Sequence, residues 1–343
     1  MSNKLSIIMP FCGEYPQNIF TIMSVWNQFR GRLDIDWELI AINNWCDRAA
    51  NQADYAYKCP KCNETYNIPR GEANSYRPPY KKQDPGGDRM QSYAAMHKWL
   101  KYVEYKDKLS HWNAKNAGIA NSDGDILFFM DAHCSLIPNT LTAMYDYFVK
   151  NKYKLNGTLH MPLAYFLERT GKALVYKLDV DPDKCYYHYK FTRYGHPGEV
   201  IKVPCMSTCG MMMTRELYNQ LGGWPKELGI YGGGENFINF TLAVQGRDVN
   251  IYPVSPLHHY AEKRGYNWEY VDHKRNQIIA TYMFGGAERA RKFSKHCKLD
   301  PKTAEKTVED VIEKCADHRA FIEKSQVMTI EDWYEKWRPT NAI

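Results

Sequence analysis

The sequence predicts an α/β fold: a mainly parallel sheet covered by helices on both faces. Three observations carry this. Residues 5–9, 37–42 and 126–130 are near-continuous apolar runs, the pattern of strands buried on both sides. Segments of helical period stand between them, which gives the strand and helix alternation of a doubly covered sheet. The 343 residues are 44% hydrophobic and 24% charged and show no internal repeat, so they suit one large or two modest globular domains and exclude a solenoid or a disordered chain.

The first strand, residues 5–9, is closed by Pro10. A polar turn leads to an amphipathic helix with Ile19, Ile22, Met23 and Trp26 at helical spacing. Residues 37–42 form the second strand and end in Asn43-Asn44. Residues 90–100 predict a helix, residues 114–120 another that ends near Asn121-Ser122-Asp123-Gly124, and residues 126–130 the third strand. Later in the chain, Asp300 and Pro301 have the character of an N-cap and first helical residue. Val308, Val311, Ile312, Cys315 and Ile322 share one face of the helix that follows. Thr329-Ile330-Glu331-Asp332 is a capping-box variant ahead of Trp333, Tyr334 and Trp337. The predicted organisation is an α/β domain over residues 1–284, with an insertion at about 46–112, and a helical C-terminal appendage over 285–343.

Net charge is +6, and its distribution is uneven. Residues 48–115 hold 13 Lys and Arg against 7 Asp and Glu, a surplus of 13 − 7 = 6, so this stretch carries the whole excess. It is rich in Tyr, Pro and Gly, as in Tyr76-Arg77-Pro78-Pro79-Tyr80-Lys81-Lys82. Basic residues interleaved with aromatics suit a polyanion whose bases stack; a solvated surface loop has the same composition. Ten cysteines are too few for a disulfide scaffold. Cys59-Pro60-Lys61-Cys62 has the turn of a zinc knuckle, with Cys46, Cys315 and His318 as candidates to complete a structural Zn²⁺ site. The first residues lack the features of a signal peptide, and no apolar stretch approaches 18 residues. The expectation is a protein of the cytoplasm without a membrane partner.

Ligands of such sheets bind beyond the carboxyl ends of the strands, which directs attention to Phe11 to Glu14, Asn43 to Asp47 and Asp131 to His133. In Asp131-Ala132-His133, alternation sends the carboxylate and the imidazole to one side. Oxygen and nitrogen ligands together suit Mn²⁺ or Mg²⁺; an Asp at a strand end also caps turns. Glu235 follows three glycines and opens an apolar helix, so it is either a helix-terminal carboxylate or a group that faces a ligand. Trp224 and Tyr231 flank that segment, where they either stack on a ring or pack in the core.

Phe128-Phe129-Met130-Asp131-Ala132-His133-Cys134 resembles the metal-binding DxH signature of polypeptide N-acetylgalactosaminyltransferases, within the GT-A glycosyltransferases that include family 2. Residues 5–10 with Glu14, residues 115–120, and Gly232-Gly233-Gly234-Glu235-Asn236 resemble further segments of that group in the same order, over about residues 5 to 265. The resemblance implies a Rossmann-like GT-A fold and a third metal ligand from His258 or His259, with His259 favoured by its downstream basic loop. It implies that Pro10, Glu14, Asn43, Lys115 and Asp131 hold a nucleotide-sugar donor and that Gly233, Gly234 and Asn236 lie near the acceptor; Trp224 and Tyr231 are substrate-binding candidates as the aromatics that flank that segment. Glu235 is then a general base or an acceptor-orienting group, and Asn236, where many inverting relatives have Asp, leaves the stereochemical course open. Asn43 and Asn44 stand where many family 2 enzymes have Asp, which makes UDP the preferred base and not a deduction.

The function these readings imply is metal-dependent sugar transfer to an acceptor hydroxyl. Charge and architecture are similar to phage-encoded transferases that glycosylate hydroxymethylated pyrimidines in DNA, which implies DNA as the acceptor and a host cytoplasm as the location. The alternatives are a cytosolic protein or polysaccharide glycosyltransferase, and a non-enzymatic nucleic-acid-binding protein on a transferase fold.

Overall fold

The computed structural model describes residues 3–45, 55–58, 65–68, 86–165, 173–181, 186–195, 197–260 and 270–338. The main sheet begins with β1 (Leu5–Phe11), whose residues are all buried, followed by helix α1 (Gln17–Phe29) and β2 (Trp37–Asn43). A separate hairpin, β3 (Tyr55–Lys58) and β4 (Thr65–Ile68), comes next. Then follow α2 (Gly87–Ala95), β5 (Leu100–Glu104), α3 (His111–Ala120), β6 (Ile126–Phe129), β7 (Cys134–Ser135), α4 (Thr140–Asn151) and β8 (Gly157–His160). Strands β9 (Leu163–Tyr165), β10 (Leu174–Asp181), β11 (Tyr186–Arg193), β12 (Ile201–Val203) and β13 (Met211–Thr214) lead to α5 (Arg215–Leu221) and α6 (Gly234–Val244). The chain closes with β14 (Asp248–Ile251), β15 (Leu257–His259), α7 (Tyr270–Ser294), α8 (Pro301–Lys314), α9 (Ala316–Ser325) and α10 (Ile330–Trp337).

Eight strands form the main sheet in the order β12-β14-β8-β13-β6-β1-β2-β5. The pairs β6-β1, β1-β2, β2-β5 and β14-β8 are parallel, while β13 runs against both its neighbours and β12 against β14. The mainly parallel α/β sheet expected from the apolar runs is therefore present. A second sheet, β11-β10-β9-β15-β7, lies beyond the carboxyl ends of β6 and β8.

Four local expectations change. Strand β1 runs through Pro10 to Phe11, because β6 is in register with β1 only as far as Ile8 and makes no demand on the missing N–H. The helix predicted over 90–100 is the shorter α2; Leu100–Glu104 instead pairs with β2 as the edge strand of the sheet. Helix α3 starts at His111, where the Ser110 side chain caps the Asn113 N–H. The face through Val308 and Ile322 belongs to two helices that meet at Cys315.

The C-terminal capping signals are as read. Asp300 accepts from the Thr303 N–H with Pro301 in the first turn, and Thr329 with Asp332 makes a reciprocal capping box. Val308, Val311, Cys315, Ile322, Ile330 and Trp333 are buried in the same apolar core as β1 and β6, and Trp333 packs edge-on against Phe240 of α6. Helix α7 breaks at Gly286. Among the described residues no helix is long and apolar enough to cross a membrane.

Candidate active site and metal centre

Beyond the carboxyl ends of β1, β2 and β6, the two sheets enclose an open cavity of about 410 Å³. Asp131 and His133 follow β6 directly. The Thr21 hydroxyl of α1 accepts from the Cys134 N–H at 2.9 Å and lies 2.9 Å from the Ala132 and Cys134 carbonyl oxygens, which fixes the turn. Strand β15 pairs antiparallel with β7, His259 opposite Cys134, and the Tyr260 N–H donates to the His133 carbonyl. That ladder carries His259 to Asp131 across 128 residues of sequence.

His259 Nε2 lies 3.1 Å from Asp131 Oδ2 and 3.2 Å from His133 Nε2. One ligand atom from each of the three residues falls within 4.8 Å of the others. For a cation about 2.1–2.2 Å from each atom, separations of 3.1 and 3.2 Å subtend roughly 90–100°, close to the angle between adjacent octahedral ligands. One carboxylate oxygen and two imidazole nitrogens thus fit a divalent ion of the Mn²⁺ or Mg²⁺ class. His258 alternates to the other face of β15, and burial pushes its imidazole pKa down. The structure brings His259, and not His258, against Asp131.

His111, at the start of α3, places Nε2 3.4 Å from Asp131 Oδ1, and the buried Lys115 ammonium is 4.0 Å from the same oxygen. Burial alone would raise the Asp131 carboxyl pKa, but the hydrogen bonds from His111 and His259 and the charges of His111 and Lys115 hold it well below the usual range. Burial pushes Lys115 down, opposed first by Asp131. Lys115 Nζ donates to Thr208 Oγ1 at 2.9 Å and sits over the Trp112 ring at 5.1 Å. It supports the cavity wall from beneath and does not itself line the cavity.

Pro10 and Glu14 do line it. A Glu14 oxygen accepts from the Cys12 N–H, and Oε1 is 3.8 Å from His133 Nδ1. Of the asparagine pair, Asn44 faces the cavity and Asn43 does not. Asn43 Oδ1 accepts from the Trp45 N–H, while its amide donates to the Tyr102 hydroxyl, a turn-holding role.

Glu235 stands in the first turn of α6. Its Oε1 accepts from Ser207 Oγ at 2.7 Å and from the Thr208 N–H at 3.3 Å, and its Oε2 accepts from the Tyr189 hydroxyl at 2.8 Å. The cavity wall beside it is aromatic: Tyr165, Tyr176, Tyr189 and Phe191 of β9, β10 and β11, with Tyr176 and Tyr189 stacked at 4.4 Å. Tyr231 and Asn236 also line the cavity.

Trp224 does not. It is 2% exposed, donates from Nε1 to the Gly234 carbonyl, and packs edge-on against Phe129, so it is a core residue behind the wall. The glycines answer to packing as well. A Cβ on Gly233, which has φ 70°, would meet the Asn276 carbonyl oxygen at 2.2 Å, and one on Gly234 would strike the Trp112 ring at 2.2 Å. Gly234 is absent from the lining, so the expected ligand role of this pair is replaced for Gly234 by close helix packing.

Cys59, Cys62, Cys46, the Tyr-Pro-Lys stretch at 76–82 and the basic loop at 261–264 lie outside the described residues. Cys315 is buried in the core with its thiol pushed up to about 12 by burial, and His318 packs edge-on against Phe237. Sequence reading missed His111, Ser207, Thr208 and the tyrosine wall. The wall had a signal: Tyr187, Tyr189 and Phe191 alternate at the period of a strand with one aromatic face.

The mainly parallel sheet, with an Asp-x-His turn and a later-strand histidine beyond the carboxyl ends of its strands, has the architecture of a GT-A fold. Residues 83–222 match glycosyl transferase family 2. N-acetylgalactosaminyltransferase 6 of Drosophila melanogaster is 24% identical over 183 residues, 50% of this chain and 27% of that protein. The crystal structure of GalNAc-T7 with UDP, GalNAc and Mn²⁺ superposes with a TM-score of 0.67 at 13% identity, covering 98% of this chain and 57% of that one. This chain therefore spans about a quarter of the curated relative's length and just over half of the solved chain.

Proposed function

We propose that the protein is a divalent-metal-dependent glycosyltransferase that moves a sugar from a nucleotide-sugar, UDP-linked, to an acceptor hydroxyl. The observation that carries this reading is the convergence of Asp131, His133 and His259 in the same cavity as the held carboxylate of Glu235. A divalent ion on the three ligands would neutralise charge that develops on the departing diphosphate. Glu14 and Asn44 border the donor side, while His111 and Lys115 keep Asp131 ionised. Glu235 has about four acceptor sites on its two oxygens. Among the described residues three are filled, by Ser207, Thr208 and Tyr189, which leaves one on Oε2 to receive and orient the acceptor hydroxyl.

For the acceptor we propose a hydroxymethylated pyrimidine in DNA. The aromatic wall beside Glu235 offers faces on which a flat base stacks, and the charge surplus over residues 48–115 suits a phosphate backbone. A paired base must leave the helix to reach Glu235. The test is incubation with Mn²⁺ and a panel of nucleotide sugars, UDP-N-acetylgalactosamine first because GalNAc-T7 was crystallised with UDP, GalNAc and Mn²⁺. Donor hydrolysis and product mass are measured on hydroxymethylated DNA, unmodified DNA and peptides. Turnover that depends on Asp131 supports the enzyme reading, and an undiminished rate in Asp131→Ala refutes it. A rate on DNA that does not fall with salt, or transfer to peptides alone, refutes the DNA acceptor and returns the reading to a protein glycosyltransferase.

A further inference from the structure

We propose that Cys134, Cys209 and His259 form a second cation site, for soft divalent ions of the Zn²⁺ and Cd²⁺ class, and that an ion bound there excludes one from Asp131 and His133. The exclusion rests on the reading of Asp131, His133 and His259 as the productive metal ligands; the thiol site itself does not. Two ladders build it. Cys134 stands opposite His259 in the β7-β15 pair, which puts both side chains on one face. Cys209 precedes β13 in a turn fixed to the main sheet by the Gly210 N–H, which donates to the Phe129 carbonyl at 2.8 Å. The two sulfurs lie 3.4 Å apart, and one ligand atom from each of the three buried residues falls within 4.8 Å of the others.

The chemistry of the donors selects the ion. Zn–S bonds of about 2.3 Å in a tetrahedral site set sulfurs about 3.8 Å apart, so this pair would need to separate by only ~0.4 Å. Two thiolates and an imidazole are a soft set, whereas Asp131 and His133 offer the harder oxygen and nitrogen that suit Mn²⁺. Binding is balanced by loss of two protons: a divalent ion and two thiols give a neutral bis-thiolate complex and two H⁺. A neutral imidazole has one acceptor nitrogen, so His259 serves one ion at a time. Soft ions would then displace the productive ion by taking away a shared ligand.

The test uses the full chain with Cys59→Ser and Cys62→Ser, so that the CxxC thiols do not contribute. Cd²⁺ is titrated while the ultraviolet thiolate-to-metal charge-transfer band is recorded, and bound Mn²⁺ is followed by electron paramagnetic resonance. The expected result is a saturable band, weakened by about half in Cys209→Ala and in Cys134→Ala, where the loss of a direct ligand costs more than the ~100-fold of an outer partner in Cd²⁺ affinity. Cd²⁺ should release Mn²⁺ from the parent at concentrations that leave it bound in Cys209→Ala. Asp131→Asn should lose Mn²⁺ and keep the band, which separates failure of the productive-metal reading from failure of this one. No band, a band of undiminished strength in either cysteine variant that folds, or simultaneous binding of Cd²⁺ and Mn²⁺ would overturn the proposal.

Discussion

The pair His258 and His259 gives the sharpest test of the metal centre, because the two are chemically identical neighbours and geometry alone separates them. His259 Nε2 is 3.1 and 3.2 Å from the other two ligand atoms, separations that an unstrained cation bridges at near-octahedral angles. His259→Ala removes one of three protein ligands. Loss of a mere outer-shell partner costs 10–100-fold in metal affinity, so loss of a direct ligand should cost at least about 100-fold, roughly 2.7 kcal/mol. His258 alternates to the opposite face of β15 and is not among the three grouped ligands, so His258→Ala should change Mn²⁺ affinity by no more than about twofold, the ±0.5 kcal/mol of an uninvolved site. Mn²⁺ binding is read by electron paramagnetic resonance, with melting temperature as the control for folding. Loss of affinity in His258→Ala with retention in His259→Ala would refute the geometry, and equal retention in both would remove the imidazole from the metal site altogether.

Glu235→Gln should lower kcat by about 100-fold or more, the usual worth of a positioned acid–base group, with donor KM unchanged; a change confined to donor KM would place Glu235 on the donor. Tyr189→Phe removes one of three donors to that carboxylate, an interaction of about 1.5–3 kcal/mol for a charged acceptor. Water from the open cavity replaces part of it, so kcat should fall about tenfold, as steady-state kinetics on the acceptor would show. His318, whose pKa burial lowers to about 4, gives a pH signature. The folded state keeps this imidazole neutral while the unfolded chain protonates below about 6.5, so stability is lost as pH falls from about 6.5 toward 4. His318 Nε2 has no hydrogen-bond partner among the described residues, and the ring packs on Phe237. His318→Phe should therefore raise the melting temperature at pH 4.5 more than at pH 7.5, and an equal shift at both would show that His318 does not titrate on unfolding.

The parts legible in the sequence are those set by local pattern. Apolar runs revealed β1, β2 and β6 because a parallel strand buried on both faces has no polar face to conceal it. Caps at Asp300 and Thr329 were legible because their hydrogen bonds close within three residues. Asp131 and His133 were legible as a pair because they stand two residues apart just past an apolar strand, although the structure holds them in a turn fixed by Thr21 and not in an extended strand. What was not legible depends on partners far away in the chain. Strand β5 looks like the end of a helix until β2 offers it an edge, and Trp224 looks like a stacking platform until Phe129 and Gly234 enclose it. Gly233 and Gly234 suggested room for a ligand, but what crowds them is Asn276 and Trp112, more than 40 and 120 residues distant in sequence.

On the proposed function, the second sheet brings donor and acceptor chemistry to one place. Strand β9 pairs with β10 on one edge and β15 on the other. Its last residue, Tyr165, packs against His259 at 4.9 Å and against Phe191 at 4.8 Å. The aromatic wall beside Glu235 and the imidazole of the metal triad are thus neighbours through a single ring on one hydrogen-bonded sheet. A shift of the β10-β11 hairpin to accommodate a bulky acceptor would be felt at His259 through close packing, without any need for a moving loop. The main sheet, by contrast, supplies Glu14 and Asp131 from the segments that follow β1 and β6. On the proposed function, acceptor preference is consequently tied to the histidine half of the proposed metal site, and substitutions in Tyr165 should alter metal affinity and acceptor KM together.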